Sequence, residues 1–290
     1  MRGSSLRLVQ ISRRISSIHK PTRVRFSSSV NHEEVSKFGK VGADWWNAGS
    51  TSGTGPLHAM NPVRVSFIRS RLAQELGRAH LPALEQLRGV EILDVGCGGG
   101  LLSESLSRLG AKVVAIDPSP ENVAVAQSHG KIDPLTKSIE YVCNTIEAMA
   151  GESRKFDAVC SLEVLEHVDN PLSFVSACSA CVRPGGSLFF STINRTAKSY
   201  LMTIVGAEYL LCLLPVGTHD WKKFVTPEEL IAMVSSAANG GDGMGVSKLD
   251  VQGLVLTPAM RLSLPLPSWG LSSSDHDVNY IAHFALRDPK

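Results

Sequence analysis

VEILDVGCGGGLL, residues 90–102, is the stretch whose reading decides the fold. Val90, Ile92, Leu93 and Val95 form a short apolar run of the kind that makes a buried strand. The run carries an acid near its end, Asp94, and leads into four glycines within five residues, Gly96, Gly98, Gly99 and Gly100. Glycines remove the side chains that hold a ligand away from the backbone, and a helix is expected from about Leu101. Counted from Gly96, the dinucleotide fingerprint G-x-G-x-x-G puts Leu101 where its third glycine belongs. A carboxylate at Asp94 would repel a pyrophosphate and attract a cation.

Read as D-x-G-x-G-x-G through Asp94, Gly96, Gly98 and Gly100, the loop resembles the first motif of class I S-adenosylmethionine methyltransferases. That cofactor carries a sulfonium and an ammonium, and no phosphate. From Val90 onward, strand and helix patterns alternate, which implies a mostly parallel sheet with helices on both faces. AKVVAID is read as the second strand, SIEYVCN as the third, FDAVCSL as the fourth and GGSLFFSTIN as the fifth, with SKLDVQG and NYIAHFALR as an antiparallel ending. Seven strands are expected, with an N-terminal helical extension and an apolar insertion after the fifth.

The 290 residues, 43% of them hydrophobic, suffice for one large α/β domain plus extensions. Residues 1–32 hold seven basic residues, eight serines and no acid. That composition reads as a mitochondrial transit peptide, the alternative being a basic tail that stays attached. The methyltransferase domain is then 33–290, with 22 basic against 27 acidic residues and a net charge of −5. A general nucleic-acid binder is excluded on that balance. The six cysteines fall mostly inside apolar patterns and read as reduced, buried residues; Cys178 and Cys181 lack the second pair that a zinc site needs.

Residues 33–48, with Phe38, Trp45 and Trp46, read as a helix and an aromatic anchor ahead of the core. In PLHAMNPVR, Asn61 is expected to cap and Pro62 to open a long helix, leaving Arg64 in its first turn. Arg64 is either an exposed charge or the partner of the cofactor's methionine carboxylate. Asp117, which ends the second strand, is placed to accept both ribose hydroxyls or else to cap the next helix. Asn144 falls near the expected adenine edge.

Glu163, Glu166 and His167 follow the fourth strand, where ligands of open parallel sheets sit. If the segment is helical, Glu163 and His167 form an i, i+4 pair. Such donors suit Mg²⁺, Mn²⁺ or Zn²⁺, although E-x-L-E-H also occurs in class I methyltransferases that use no metal, where these groups orient the substrate. Residues 196–217, TAKSYLMTIVGAEYLLCLLPVG, are strongly apolar but interrupted by Lys198 and Glu208, too short a span for a bilayer. They read as an interfacial lid or as a buried helix. In GTHDWKKF, His219 is a candidate general base or a loop staple.

Taken together, WWN, PLHAMNPVR, LDVGCGGGLLSESL, LEVLEHV, STINRT and GTHDWKKF resemble the ubiquinone-biosynthesis O-methyltransferase family, over about residues 38–234. The resemblance implies methylation of polyprenyl dihydroxybenzoate and of demethylubiquinol, with S-adenosylmethionine held by Arg64, Gly96, Asp117 and Leu162. Asp94 and Gly98 join that cofactor set from the loop reading. The resemblance further implies a divalent cation, Mg²⁺, on Glu163, Glu166 and His167. A cation there would lower the catechol pKa and leave His219 as the proton acceptor, whereas in a C-methyltransferase Glu163 and His167 would act as acid and base. Residues 196–217 correspond to the family's membrane-associated insertion. The expected setting is therefore the matrix side of the inner mitochondrial membrane, peripherally, within a ubiquinone-biosynthesis complex. Rival readings are a quinone C-methyltransferase, a non-catalytic cofactor-binding subunit and a dehydrogenase.

Overall fold

The computed structural model describes residues 26–50, 54–152, 154–210, 217–240, 244–258 and 267–287. The quoted stretch forms β1 (Glu91–Val95), the glycine turn and α3 (Leu101–Arg108), preceded by α1 (His32–Gly39) and α2 (Gly55–Glu75). The alternation continues through β2 (Lys112–Asp117), α4 (Pro120–Gly130), β3 (Glu140–Cys143), α5 (Ile146–Gly151), β4 (Phe156–Leu162), α6 (Pro171–Ala180) and β5 (Val182–Ile193). After the insertion come α8 (Pro227–Gly240), β6 (Gly245–Pro258), β7 (Pro267–Ser272) and β8 (Asn279–Arg287). The insertion itself begins with α7 (Ala197–Ser199) and continues as a π-helix, Tyr200–Leu210.

The strands form one sheet in the order β3-β2-β1-β4-β5-β8-β6-β7, parallel from β3 to β5 and antiparallel beyond. The sheet is buried on both faces. Leu93, Val95 and Phe190 pack under α5, α6 and α8, while Ile92, Ala115 and Phe189 pack under α2, α3 and α4. The chain reverses direction across the sheet between β1 and β4, so a crevice opens at their carboxyl ends.

Among the described residues there are eight strands rather than the expected seven. β6 runs past SKLDVQG to Pro258, and its added length pairs with β7 from Gly253 to Pro258. The start of α2 also differs. The helix begins at Gly55, with Pro56 in its first turn, and Pro62 lies inside it. Asn61 is therefore no cap: its amide donates to Leu101 O at 3.3 Å and to Ser105 Oγ at 2.9 Å. Pro62 removes one helical N–H, and burial of Met60, Phe67, Ile68 and Leu72 on the same helix offsets that loss. Arg64 accordingly sits in the third turn, not the first.

Residues 26–31, inside the expected presequence, lie along the core. Ser29 N donates to Glu147 Oε1 at 3.1 Å, Asp169 N donates to Ser29 O at 2.9 Å, and Asn31 Nδ2 donates to Asp169 Oδ1 at 2.7 Å. Phe26 packs on the cluster beneath α6. Residues 1–25 of that presequence lie outside the described residues, as do Cys212 and the rest of 211–216.

Among the described residues of the insertion only Ser199 and Glu208 are buried, whereas Tyr200, Leu201, Met202, Tyr209 and Leu210 are exposed. The buried-helix reading therefore fails. Among the described residues no helix is long and apolar enough to cross a membrane.

Candidate active site

A cavity of about 620 Å³ occupies the crevice, within the usual range for a small-ligand site. Its floor is the turn after β1. Gly96, Gly98 and Gly100 have φ of 74°, 52° and 90°, a region that side chains disfavour. Two of these glycines also make room for protein. A Cβ on Gly96 would lie 2.5 Å from Val164 Cγ2, and one on Gly98 would lie 2.4 Å from Trp45 Cη2. The turn is thus shaped to receive the indole of Trp45 as well as a ligand. Trp45 is held by its Nε1–H donating to Asn122 Oδ1 at 2.9 Å, and Trp46 Nε1 donates to Gly99 O at 3.0 Å.

Three charges ring this floor. Asp94, at the end of β1, accepts from Ser103 Oγ; burial pushes its carboxyl up to about 6, against the opposing pull of Ser103 and Arg64. Arg64 is 4% exposed, and its Nε has no hydrogen-bond partner. Burial lowers its pKa while the charges of Glu163 and Asp94 favour its ionised form. Asp117 accepts from Gly98 N at 2.9 Å, Ser119 N at 2.9 Å and Asn122 Nδ2 at 3.2 Å. It is not the cap of α4, because Ser119 fills that position. A carboxylate has about four acceptor sites, so taking both hydroxyls of a ribose requires the Asn122 amide to yield. Leu162 and Asn144 line the same cavity.

The strand-mouth acids are arranged differently from the expected helical pair. Glu163 has φ of 56°, the only positive value on a non-glycine among the described residues, and only Leu165–His167 forms a single 3₁₀ turn. The side chains therefore diverge. Glu163 accepts from Ser191 Oγ at 2.6 Å and Asn279 Nδ2 at 3.3 Å. Glu166 accepts from Thr192 Oγ1 at 2.7 Å, and burial, then the nearby charge of Glu163, raise its carboxyl above the ordinary range. His167 turns to α1, with Nδ1 3.0 Å from Glu34 Oε2. Burial alone would raise the Glu34 carboxyl, but the bond and charge of His167 more than offset it and the net shift is downward. Among the described residues no three such groups stand close enough to hold a metal ion. With each side chain bound to its own protein partner, this arrangement does not fit the cation expected on Glu163, Glu166 and His167.

His219 lines the other end of the cavity with Met202, Thr203 and Ala207 of the insertion. Its Nδ1 lies 3.0 Å from Glu208 Oε1. Burial, then repulsion from His167, lower its pKa against the pull of Glu208, so the ring is neutral at pH 7.

Trp45, Glu34, Ser29, Asn279 and Glu208 also belong to this neighbourhood and were not singled out from the sequence as site residues. Only the WWN motif gave a local signal for any of them. The others are brought in from distant segments.

A buried arginine and a buried carboxylate beside one turn match the two ends of an amino-acid zwitterion, and Asp117 at the next strand end offers oxygen to a sugar. The orphaned Arg64 Nε fits a carboxylate ligand, and the buried acids Asp94 and Asp117 beside the turn disfavour a phosphate there. This cradle, at the switch point of a doubly wound sheet, defines a class I S-adenosylmethionine-dependent methyltransferase. Residues 93–190 match a family model described as a methyltransferase domain. Two solved structures share the fold: magnesium protoporphyrin IX methyltransferase from Synechocystis with bound SAH, and a plantazolicin methyltransferase. The first is 17% identical with a TM-score of 0.56 and covers 89% of this chain and 99% of that one. The second is 13% identical with a TM-score of 0.57 and covers 89% and 97%.

Full-length relatives narrow the class further. The mitochondrial ubiquinone biosynthesis O-methyltransferase of Arabidopsis thaliana is 44% identical over 261 residues, 90% of this chain and 76% of the relative. The corresponding protein of Methylocella silvestris is 44% identical over 258 residues, 88% of this chain and 94% of the relative. The chain belongs to the ubiquinone biosynthesis O-methyltransferase family and is an S-adenosylmethionine-dependent O-methyltransferase.

Proposed function

We propose that the chain methylates catechol-type hydroxyls of polyprenylated rings at two steps of ubiquinone biosynthesis, on polyprenyl dihydroxybenzoate and on demethylubiquinol. The observation that carries this reading is the continuity of one cavity from the charged cradle to the exposed apolar helix of the insertion. A polar ring fits over the cradle, and a long isoprenoid tail fits along Met202 and Ala207 toward the apolar surface. Arg64, Asp94, Gly96, Gly98, Asp117 and Leu162 hold the cofactor in this reading.

S-adenosylmethionine supplies an electrophilic methyl group when bound. This chain's own residues orient the ring and move its proton. A phenol with a pKa of about 10 is neutral at pH 7, so in-line attack needs a base. His219 Nε2 takes the hydroxyl proton, the oxygen pair forms the new O–CH₃ bond, and the pair of the broken S–CH₃ bond stays on sulfur. Glu163, fixed by Ser191 and Asn279, accepts from the neighbouring hydroxyl, and His167 borders the ring. No step runs through the expected cation, whose ligands are not brought together.

The setting is the matrix face of the inner mitochondrial membrane, touched peripherally through residues 196–217, in company with other enzymes of the pathway. Exposed Leu201, Met202, Tyr209 and Leu210 support that contact. The presequence in this reading ends before Phe26 rather than at residue 32, because residues 26–31 are bonded into the core. The purified chain, labelled S-adenosylmethionine and a short-tail demethylquinol or catechol acid, with and without chelator, provide the test. An oxygen-methylated product is expected by mass spectrometry; carbon methylation, or no transfer to either substrate, overturns the reading.

A further inference from the structure

We propose that Glu208 is a positioning residue that fixes His219 in the one tautomer able to accept the substrate proton. The inference rests on the reading of His219 as proton acceptor and assigns a task to the only acid of the insertion.

Glu208 lies in an apolar π-helix, next to Tyr209, which is 61% exposed, yet its own side chain is only 1% exposed. A buried carboxylate must be satisfied or its desolvation is uncompensated. Among the described residues, the partners of Glu208, Gly217 and His219, belong to one short loop. Gly217 N donates to Oε2 at 2.7 Å, His219 N donates to Oε1 at 2.9 Å, and His219 Nδ1 is 3.0 Å from the same oxygen. From the other side, Lys37 Nζ of α1 donates to the carbonyls of Gly217 and Thr218 at 3.1 and 3.0 Å. The loop is thus gripped from two elements, and of these two side chains only Glu208 bonds the imidazole, whose ring also meets Phe224 edge-on at 5.9 Å and faces His167 at 6.4 Å between centroids.

An ionised carboxylate accepts and does not donate. His219 Nδ1 must therefore carry the hydrogen, and Nε2 keeps its lone pair. When Nε2 takes the substrate proton, the positive ring already lies against a buried negative charge. The helix that carries Glu208 also presents exposed Leu201, Met202, Tyr209 and Leu210, so the seating of that helix sets the base. A carboxylate serving only as an anchor for the loop would hold the backbone N–H groups equally well without regard to the ring.

The test compares Glu208→Gln and His219→Gln in the full chain, with kcat and KM measured for both substrates and the His219 ring nitrogens observed by ¹⁵N NMR. Glutamine keeps the shape of the side chain and an acceptor oxygen, but not the charge. Glu208→Gln is expected to lower kcat by about 10²- to 10⁴-fold, the range of a general base and of the acid that orients a histidine, while KM for S-adenosylmethionine stays within about twofold and the population protonated at Nδ1 falls. Retained kcat in His219→Gln overturns the proton-acceptor reading and this inference with it. Loss of kcat in His219→Gln but not in Glu208→Gln overturns the role of Glu208 alone. A rise in KM for both substrates with kcat unchanged marks a structural anchor and also overturns it. Should Glu208→Gln fail to fold, the wild-type spectrum decides, since a hydrogen on Nε2 rather than Nδ1 contradicts the proposal.

Discussion

Asp94, as the proposed partner of the cofactor's ammonium, is expected to give cofactor binding a pH dependence whose size follows from its surroundings. Burial pushes its carboxyl up to about 6, so the group is about nine-tenths ionised at about pH 7 and about one-tenth ionised at about pH 5. An ammonium placed against it favours the ionised form. Affinity for S-adenosylmethionine is therefore expected to fall about tenfold between those two pH values, with about one proton released per molecule bound at the lower one. Replacing the carboxylate by Asp94→Asn removes a charge-assisted contact of about 1.5–3 kcal/mol, which weakens binding at neutral pH by about 10- to 150-fold and flattens the pH profile. The same shift acts on folding. Because the folded pKa lies above the unfolded one, this group's contribution to stability, about 3 kcal/mol, is full below about pH 4 and is lost as pH rises through 6. Titration calorimetry in two buffers of different ionisation enthalpy reads both affinity and proton release. Asp117→Asn is the control, since burial raises that carboxyl too. A flat wild-type profile, or the same slope in Asp94→Asn, would refute the assignment of the charge beside the turn.

Three further outcomes are expected. Gly96→Ala places a methyl at a φ of 74° and 2.5 Å from Val164; the left-handed backbone alone costs about 1–2 kcal/mol, so both melting temperature and cofactor affinity should drop. His283 is fully buried, stacked on Phe189 and 3.0 Å from Ser187 Oγ, and burial lowers its pKa to about 4. Its contribution is present above about pH 6.5 and lost as pH falls to 4, about 3 kcal/mol in all, and His283→Leu should flatten that part of a urea-midpoint series. Leu201→Glu with Leu210→Glu should abolish sedimentation with anionic vesicles while short-tail turnover stays within about twofold; retained sedimentation would remove the insertion from the membrane contact.

The parts of the molecule that were readable in advance are those with a local cause. β1, β2 and β4 end where their apolar runs end, with Asp94 next to last in β1, Asp117 last in β2 and Glu163 just after β4. β7 was missed because PSWGLS carries the proline, glycine and serine signals of a loop, and it is a strand only because an overlong β6 lies beside it. Pro62 read as a helix start because proline suits that position; burial of the apolar face of α2 decided otherwise. The divergence of Glu163, Glu166 and His167 depends on one left-handed residue, which no spacing rule foresees. Glu34, Ser29 and Asn279 reach the site across more than 100 residues of chain, so tertiary packing alone places them.

The strap of residues 26–40 has a consequence for the order in which the molecule assembles. Its partners lie far downstream: Ser29 bonds a residue 118 positions later, Asn31 one 138 later and Lys37 one 181 later. A chain that emerges amino end first, during synthesis or threading through a narrow pore, exposes this strap before any of those partners exist. Such distant contacts carry a large loop-closure entropy and close late. The wall of the cavity is thus expected to close after the local βαβ units have formed, and a chain still emerging holds the cofactor loop before the strap has docked.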